Sequence, residues 1–185
     1  MDVADKNLSS AFNSEGYKRL RDAVEYNNLD AVKAIIAEGV DVNAHTGNGH
    51  TALVDAAGSE RKLAIVEWLL ENGANPDANA SHWPPLMAAC EGGPGRLDIV
   101  KALCRHGADA FITNHRGKKP MDYLWNGPGD AVKAVLLERQ AEQVAAYLSK
   151  LRADWETEMK AVTEGVVTLP APVSVRAPLK FGPKA

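Results

Sequence analysis

One pentapeptide recurs through this chain at almost constant spacing. Asp-Ala-Val-Lys-Ala begins at Asp30, Asp-Ile-Val-Lys-Ala at Asp98 and Asp-Ala-Val-Lys-Ala again at Asp130, with the related Ala-Ile-Val-Glu-Trp beginning at Ala64. The starts lie 34, 34 and 32 residues apart. A unit of that length is one supersecondary element that cannot bury its own apolar face, so a core arises only when units stack. Nine residues after the first three starts stand Gly39, Gly73 and Gly107, and a glycine there ends a helix where the backbone turns to positive φ without steric cost.

Within each unit the apolar residues have helical spacing: Val32, Ile35, Ile36; Val66, Leu69, Leu70; Val100, Leu103, Cys104; Val132, Val135, Leu136. A second short apolar helix is expected ahead of each, at Ala23 and Val24, Ala56 and Ala57, Ala89 and Cys90, and Leu124 and Trp125. Between units, Val40-Asp41-Val42-Asn43-Ala44 followed by Gly47-Asn48-Gly49-His50-Thr51 carries turn chemistry that also suits a β-hairpin.

The segment Glu38 to Ala44 followed by Gly49-His50-Thr51-Ala52-Leu53 closely resembles the ankyrin-repeat consensus, as do Glu71-Asn72-Gly73-Ala74-Asn75 and Arg105-His106-Gly107-Ala108-Asp109. The resemblance covers residues 17–139 and implies an all-α solenoid of about four helix-turn-helix units with β-hairpin loops. The units divide as 17–45, 46–79, 80–113 and 114–139, after an N-terminal segment 1–16. Solenoids of this kind bind through their concave side. Carried over by position, the residues expected to face a protein partner are Tyr26, His45, Asn48, His50, Ser59, Asn79, His82, Trp83, Glu91, His115, Arg116, Lys118 and Asn126. Trp83 stands out, because an indole at a hairpin tip has little local core to enter and Trp is a common interface anchor. Followed by Pro84 and Pro85, it can equally cover the stack. The basic cluster His115, Arg116, Lys118 and Lys119 is read either as a solvated turn or as a patch that steers an acidic partner.

The resemblance therefore implies a non-enzymatic protein-recognition scaffold, with an inhibitory or regulatory subunit that occludes a partner enzyme or toxin as the alternative. No catalytic constellation, H-E-x-x-H, G-x-S-x-G or P-loop is visible in the sequence. Gly47-x-Gly49-x-x-Ala52 mimics a dinucleotide fingerprint, but it lacks the preceding buried strand, and the repeat phase explains both glycines as turn residues. Neither a cofactor nor a metal is expected. His45, His50, His82 and His115 all fall in hairpins, where equivalent tips should lie about one helix diameter apart, roughly 10 Å, too far to share a zinc ion. Cys90 and Cys104 are expected to be buried and reduced. A net charge of -3, with no long run of one sign, argues against a nucleic-acid partner. The lack of a secretory leader or an 18-residue apolar run leads to the expectation of a soluble cytoplasmic protein without a membrane partner.

The fourth unit does not stop like the others. Arg139 stands where the glycines should, and neither Gly nor Pro occurs from Asp130 through Glu164. This pattern predicts one helix of about 35 residues, near 50 Å long. Its stripe after the repeat, Leu137, Ala141, Val144, Leu148, Leu151, Trp155, Met159 and Val162, is close to a heptad seam. The segment 140–164 is thus read as a C-terminal helix with two outcomes. Either it associates with another copy or a partner through Leu148, Leu151, Trp155 and Met159, or the chain breaks near Arg139 and Gln140 and folds back as a cap. The tail 165–185, rich in proline and carrying Arg176, Lys180 and Lys184 without an acid, is read either as lacking a fixed fold or, since Val173 and Val175, then Leu179 and Phe181, alternate as in a strand, as docking in extended form on a partner or on its own domain.

Overall fold

The computed structural model describes residues 15–45, 49–78, 82–92, 94–124 and 130–164. The N-terminal segment through residue 14 and the tail 165–185 lie outside the described residues. The chain divides into two compact units, one through Val144 and one from Ala145.

The first unit is built from helix pairs: α1 (15–25) with α2 (Leu29–Ala37), α3 (Ala52–Ala57) with α4 (Leu63–Glu71), and α5 (Pro85–Glu91) with α6 (Leu97–Arg105). Three of these helices start on identifiable local chemistry. Asn28 caps α2 by accepting the Ala31 N–H at 3.0 Å, and Thr51 caps α3 by accepting the Val54 N–H at 3.4 Å. Pro85 opens α5 at the position where a missing N–H costs nothing. The helices end as the spacing predicts. Gly39, Gly73 and Gly107 have φ of +96°, +86° and +94°. After α4, Ala74 N–H reaches Leu69 C=O at 2.9 Å and Gly73 N–H reaches Leu70 C=O at 3.2 Å, which is a Schellman closure. Small residues make the inner layer, with Ala56, Ala57, Ala88, Ala89 and Cys90 all buried, while Val66, Leu69, Val100 and Leu103 fill the outer one.

Two expectations need correction. The hairpins contain no strand among the described residues; the first closes on a single antiparallel bridge between His45 and Thr51. In the fourth repeat, the expected first helix is only a 3₁₀ turn, Pro120–Tyr123, because Leu124 takes an extended backbone at ψ 122°. Trp125 lies outside the described residues.

Hairpin bases are tied across repeats by a ladder of Asx side chains. Asn43 donates to the Gly73 carbonyl at 3.0 Å and accepts the Asn75 N–H at 2.7 Å. One repeat later, Asp77 accepts the Asp109 N–H at 2.8 Å. The third such position is Phe111, which cannot continue the ladder. The last helix takes over. α7 (Asp130–Thr163) runs unbroken through Arg139 and Gln140, so the chain break considered above does not occur. From it, Gln143 accepts the Ala110 N–H at 3.1 Å and donates to Asp109 at 3.0 Å. Gln140 donates to the Ala110 carbonyl at 3.2 Å, and Arg139 to the Ala108 carbonyl at 3.1 Å. Side chains of one helix thus satisfy the backbone groups that a following repeat would otherwise cover.

Within the second unit, residues 145–163 are the C-terminal part of α7. Tyr147, Leu148, Leu151 and Trp155 are exposed there, Trp155 by 62%, and Met159 is half-buried.

Candidate recognition surface

The third hairpin is organised from within by Asn114, a buried polar residue. Its carbonyl accepts the Gly117 N–H at 2.8 Å, and its N–H donates to the Lys118 carbonyl at 3.0 Å. Its side-chain oxygen accepts the N–H groups of Arg116 at 3.0 Å and Lys118 at 3.1 Å, while its amide donates to the Tyr123 hydroxyl at 2.9 Å. Gly117, at φ +67°, completes the turn. The amide oxygen thus accepts two backbone N–H groups of the turn and its nitrogen donates to Tyr123, tying down the backbone that carries His115, Arg116 and Lys118, all exposed.

Tyr123 also supports the neighbouring tip. The Trp83 ring meets it edge-on, with centroids 4.8 Å apart at 75°, and Trp83 is half-buried against the core. His82, exposed beside it, brings its ring within 5.5 Å of His115. The approach is closer than the repeat spacing led us to expect, because side chains on adjacent tips lean toward each other. Among the described residues, no group of three His, Cys, Asp or Glu side chains is arranged to hold a metal ion.

At the first hairpin, His45 is exposed, while His50 sits 3.2 Å from Asp55 on α3. The other oxygen of Asp55 accepts the Tyr17 hydroxyl at 3.2 Å. Burial, then the Asp55 charge, pushes the Tyr17 hydroxyl up to about 12, so it remains a donor at neutral pH. Sequence reading missed this Tyr17–Asp55–His50 chain, since its members are local in space but separated by 38 residues between Tyr17 and Asp55. Tyr26, at the end of α1, is 82% exposed; Glu91 is exposed and Ser59 half-buried. Asn48, Asn79 and Asn126 lie outside the described residues.

The outer helices add a groove of about 550 Å³ between α4, α6 and α7. Its charges are largely spent on one another: Arg105 with Glu67 at 3.2 Å, Lys101 with Asp98 at 3.4 Å and Arg139 with Glu142 at 3.1 Å. Burial raises the Cys90 thiol to about 12 and the Cys104 thiol to about 11, leaving both protonated and unreactive at neutral pH. Among the described residues, no helix is long and apolar enough to cross a membrane.

Stacked helix pairs, glycine-ended outer helices and protruding tips define a repeat solenoid. The chain belongs to the ankyrin-repeat family: the family's profile, ankyrin repeats in three copies, matches residues 20–114, more than half of the chain. Among similar proteins, Ankyrin repeat and SOCS box protein 16 of Mus musculus is 31% identical over 76% of this chain and 34% of its own length. E3 ubiquitin-protein ligase Ufd4 of Drosophila melanogaster is 32% identical over 75% of this chain and 5% of its own. The B-cell lymphoma 3 protein homolog of Mus musculus is 30% identical over 59% and 24%. The chain thus spans about a third or less of these relatives. Ankyrin repeats are in general protein–protein interaction modules.

Proposed function

We propose that this protein is a non-enzymatic recognition module whose hairpin tips and first helices hold a protein partner. One observation carries the reading: large and charged side chains at those positions, with Tyr26 82% exposed, are presented on a frame in which, among the described residues, no buried side-chain polar atom lacks a partner. A rigid frame lowers the ordering cost of binding. Tyr26, His45, His82, Glu91, His115, Arg116 and Lys118 form the contact set, with Trp83 bracing it from the core side and His50 and Ser59 at its edge. Affinity purification of the tagged protein, read by mass spectrometry, tests this. The reading requires a partner retained by the wild type and lost from Tyr26→Ala; capture of nothing, or capture indifferent to that change, removes it. If the partner is an enzyme inhibited on binding, the module is a regulatory subunit.

A second reading rests on α7. Tyr147, Leu148, Leu151 and Trp155 are exposed on one helical face, and an apolar row of this kind marks an association surface more often than a solvated one. Self-association through Leu148, Leu151, Trp155 and Met159 predicts a dimer by light scattering that Leu148→Glu/Trp155→Glu converts to monomer. A wild type that is monomeric at high concentration contradicts it.

A further inference from the structure

Positive charge is not spread evenly over this chain. The net charge is -3, and several of its cations are neutralised in place: Arg19 by Glu38, Arg21 by Asp22, Lys101 by Asp98, Arg105 by Glu67 and Arg139 by Glu142. The third hairpin stands out by density. Arg116, Lys118 and Lys119 stand within four positions of one another, all exposed, and among the described residues none pairs with a carboxylate. Asp122, the nearest acid in sequence, is engaged by the Lys119 backbone N–H at 2.8 Å.

Three like charges on one short turn repel one another, while the turn is held closed by its backbone bonds and by the Asn114 side chain. The backbone positions that carry the three charges are therefore kept close together. An apolar feature lies beside them. Phe111 occupies the ladder position held by Asn43 and Asp77 in earlier repeats, yet it is 39% exposed, with the Lys119 ammonium 6.0 Å from its ring centroid.

We propose that the third hairpin is the docking site for an acidic protein segment carrying an aromatic or aliphatic side chain, with Arg116, Lys118 and Lys119 meeting its carboxylates and Phe111 its apolar group. This assignment rests on the recognition role proposed above and names the chemistry of the partner at one end of that surface. Carboxylates relieve the repulsion within the turn and gain charge-assisted hydrogen bonds, with Arg116 able to bind one in a bidentate fork. The Phe111 ring supplies the dry contact that converts steering into residence. A nucleic acid fits less well. Its affinity comes from many cations along a phosphate track, and here the cluster is three cations on one tip.

The test uses the full-length protein and a fluorescein-labelled peptide of 12 residues, all Asp or Glu apart from a central Phe, followed by fluorescence anisotropy. The wild type should bind it, with affinity falling about tenfold or more between 50 and 300 mM NaCl. Arg116→Glu/Lys118→Glu should weaken binding at least about tenfold without moving the melting temperature, Arg116→Lys/Lys118→Arg should retain it, and Phe111→Ala should weaken it about fivefold. The proposal fails if the wild type does not bind the peptide, if charge reversal leaves affinity unchanged, or if a 12-residue oligothymidylate binds as tightly. Affinity purification with the same two proteins separates this failure from failure of the broader role. A partner retained equally by wild type and charge-reversed protein removes the acidic docking site but leaves the recognition module, whereas loss of both partner and peptide from the wild type removes both.

Discussion

Asp77 shows how one residue can serve geometry at the expense of charge. Burial, only partly offset by the Asp109 N–H, raises its carboxyl above the ordinary range. A carboxylate whose folded pKa lies above its unfolded one, about 3.9, favours folding most when protonated, and that contribution is lost as pH rises through the folded value. At neutral pH its charge therefore detracts from stability. Asn43 fills the equivalent position, accepts in the same way and donates one bond more. Asp77→Asn should raise the melting temperature at pH 7, and the gain should shrink toward pH 4; thermal melts across that range check it, and a gain independent of pH would contradict the cause given. Glycines offer a second contrast. Gly73 has φ of +86° and nothing within 4 Å of where a Cβ would sit, so its constraint is conformational rather than steric. Gly58, at φ -70°, is ordinary helical backbone. Gly73→Val should cost more than about 1 kcal/mol, whereas Gly58→Ala should be neutral or stabilise by about 0.5 kcal/mol. Urea melts of both variants test the repeat phase at single-residue resolution.

Among the elements, α7 departs most from the repeat. It begins as the outer helix of the fourth unit, with Val132 and Leu136 buried, and continues because Arg139 replaces the terminating glycine. Removing Gln143 leaves the Ala110 N–H and one oxygen of Asp109 without their partner, so Gln143→Ala should cost about 1–2 kcal/mol; a urea midpoint unchanged from wild type would show that water replaces the cap freely. The missing glycine at Arg139 was legible in the sequence and allowed one long helix, but a break near Arg139 and Gln140 stayed open until the fold showed α7 running through them. What that helix bonds to was not legible. The ladder joins residues 30 to 34 apart in sequence, and no spacing rule reveals that Gln143 faces Asp109. One signal was present, though: Phe111 at the position of Asn43 and Asp77 marks where the ladder ends. Likewise the basic tip could be read from Arg116, Lys118 and Lys119 alone, but its rigidity depends on Asn114 and Tyr123, whose pairing emerges only in the fold. The half-burial of Trp83 has the same origin, because Tyr123 comes from the next repeat.

For the molecule as a whole, the stack through Val144 supplies the frame, and the binding proposed above falls to Tyr26, His82 and the basic hairpin. Hydrogen exchange of the full-length protein, with and without the partner captured by affinity purification, tests that assignment most directly. The account predicts added protection of backbone amides in residues 22–28, 82–91 and 112–119 on complex formation, with the outer helices α4 and α6 unchanged. Protection confined to α4 and α6, or to residues 145–163 alone, would contradict it.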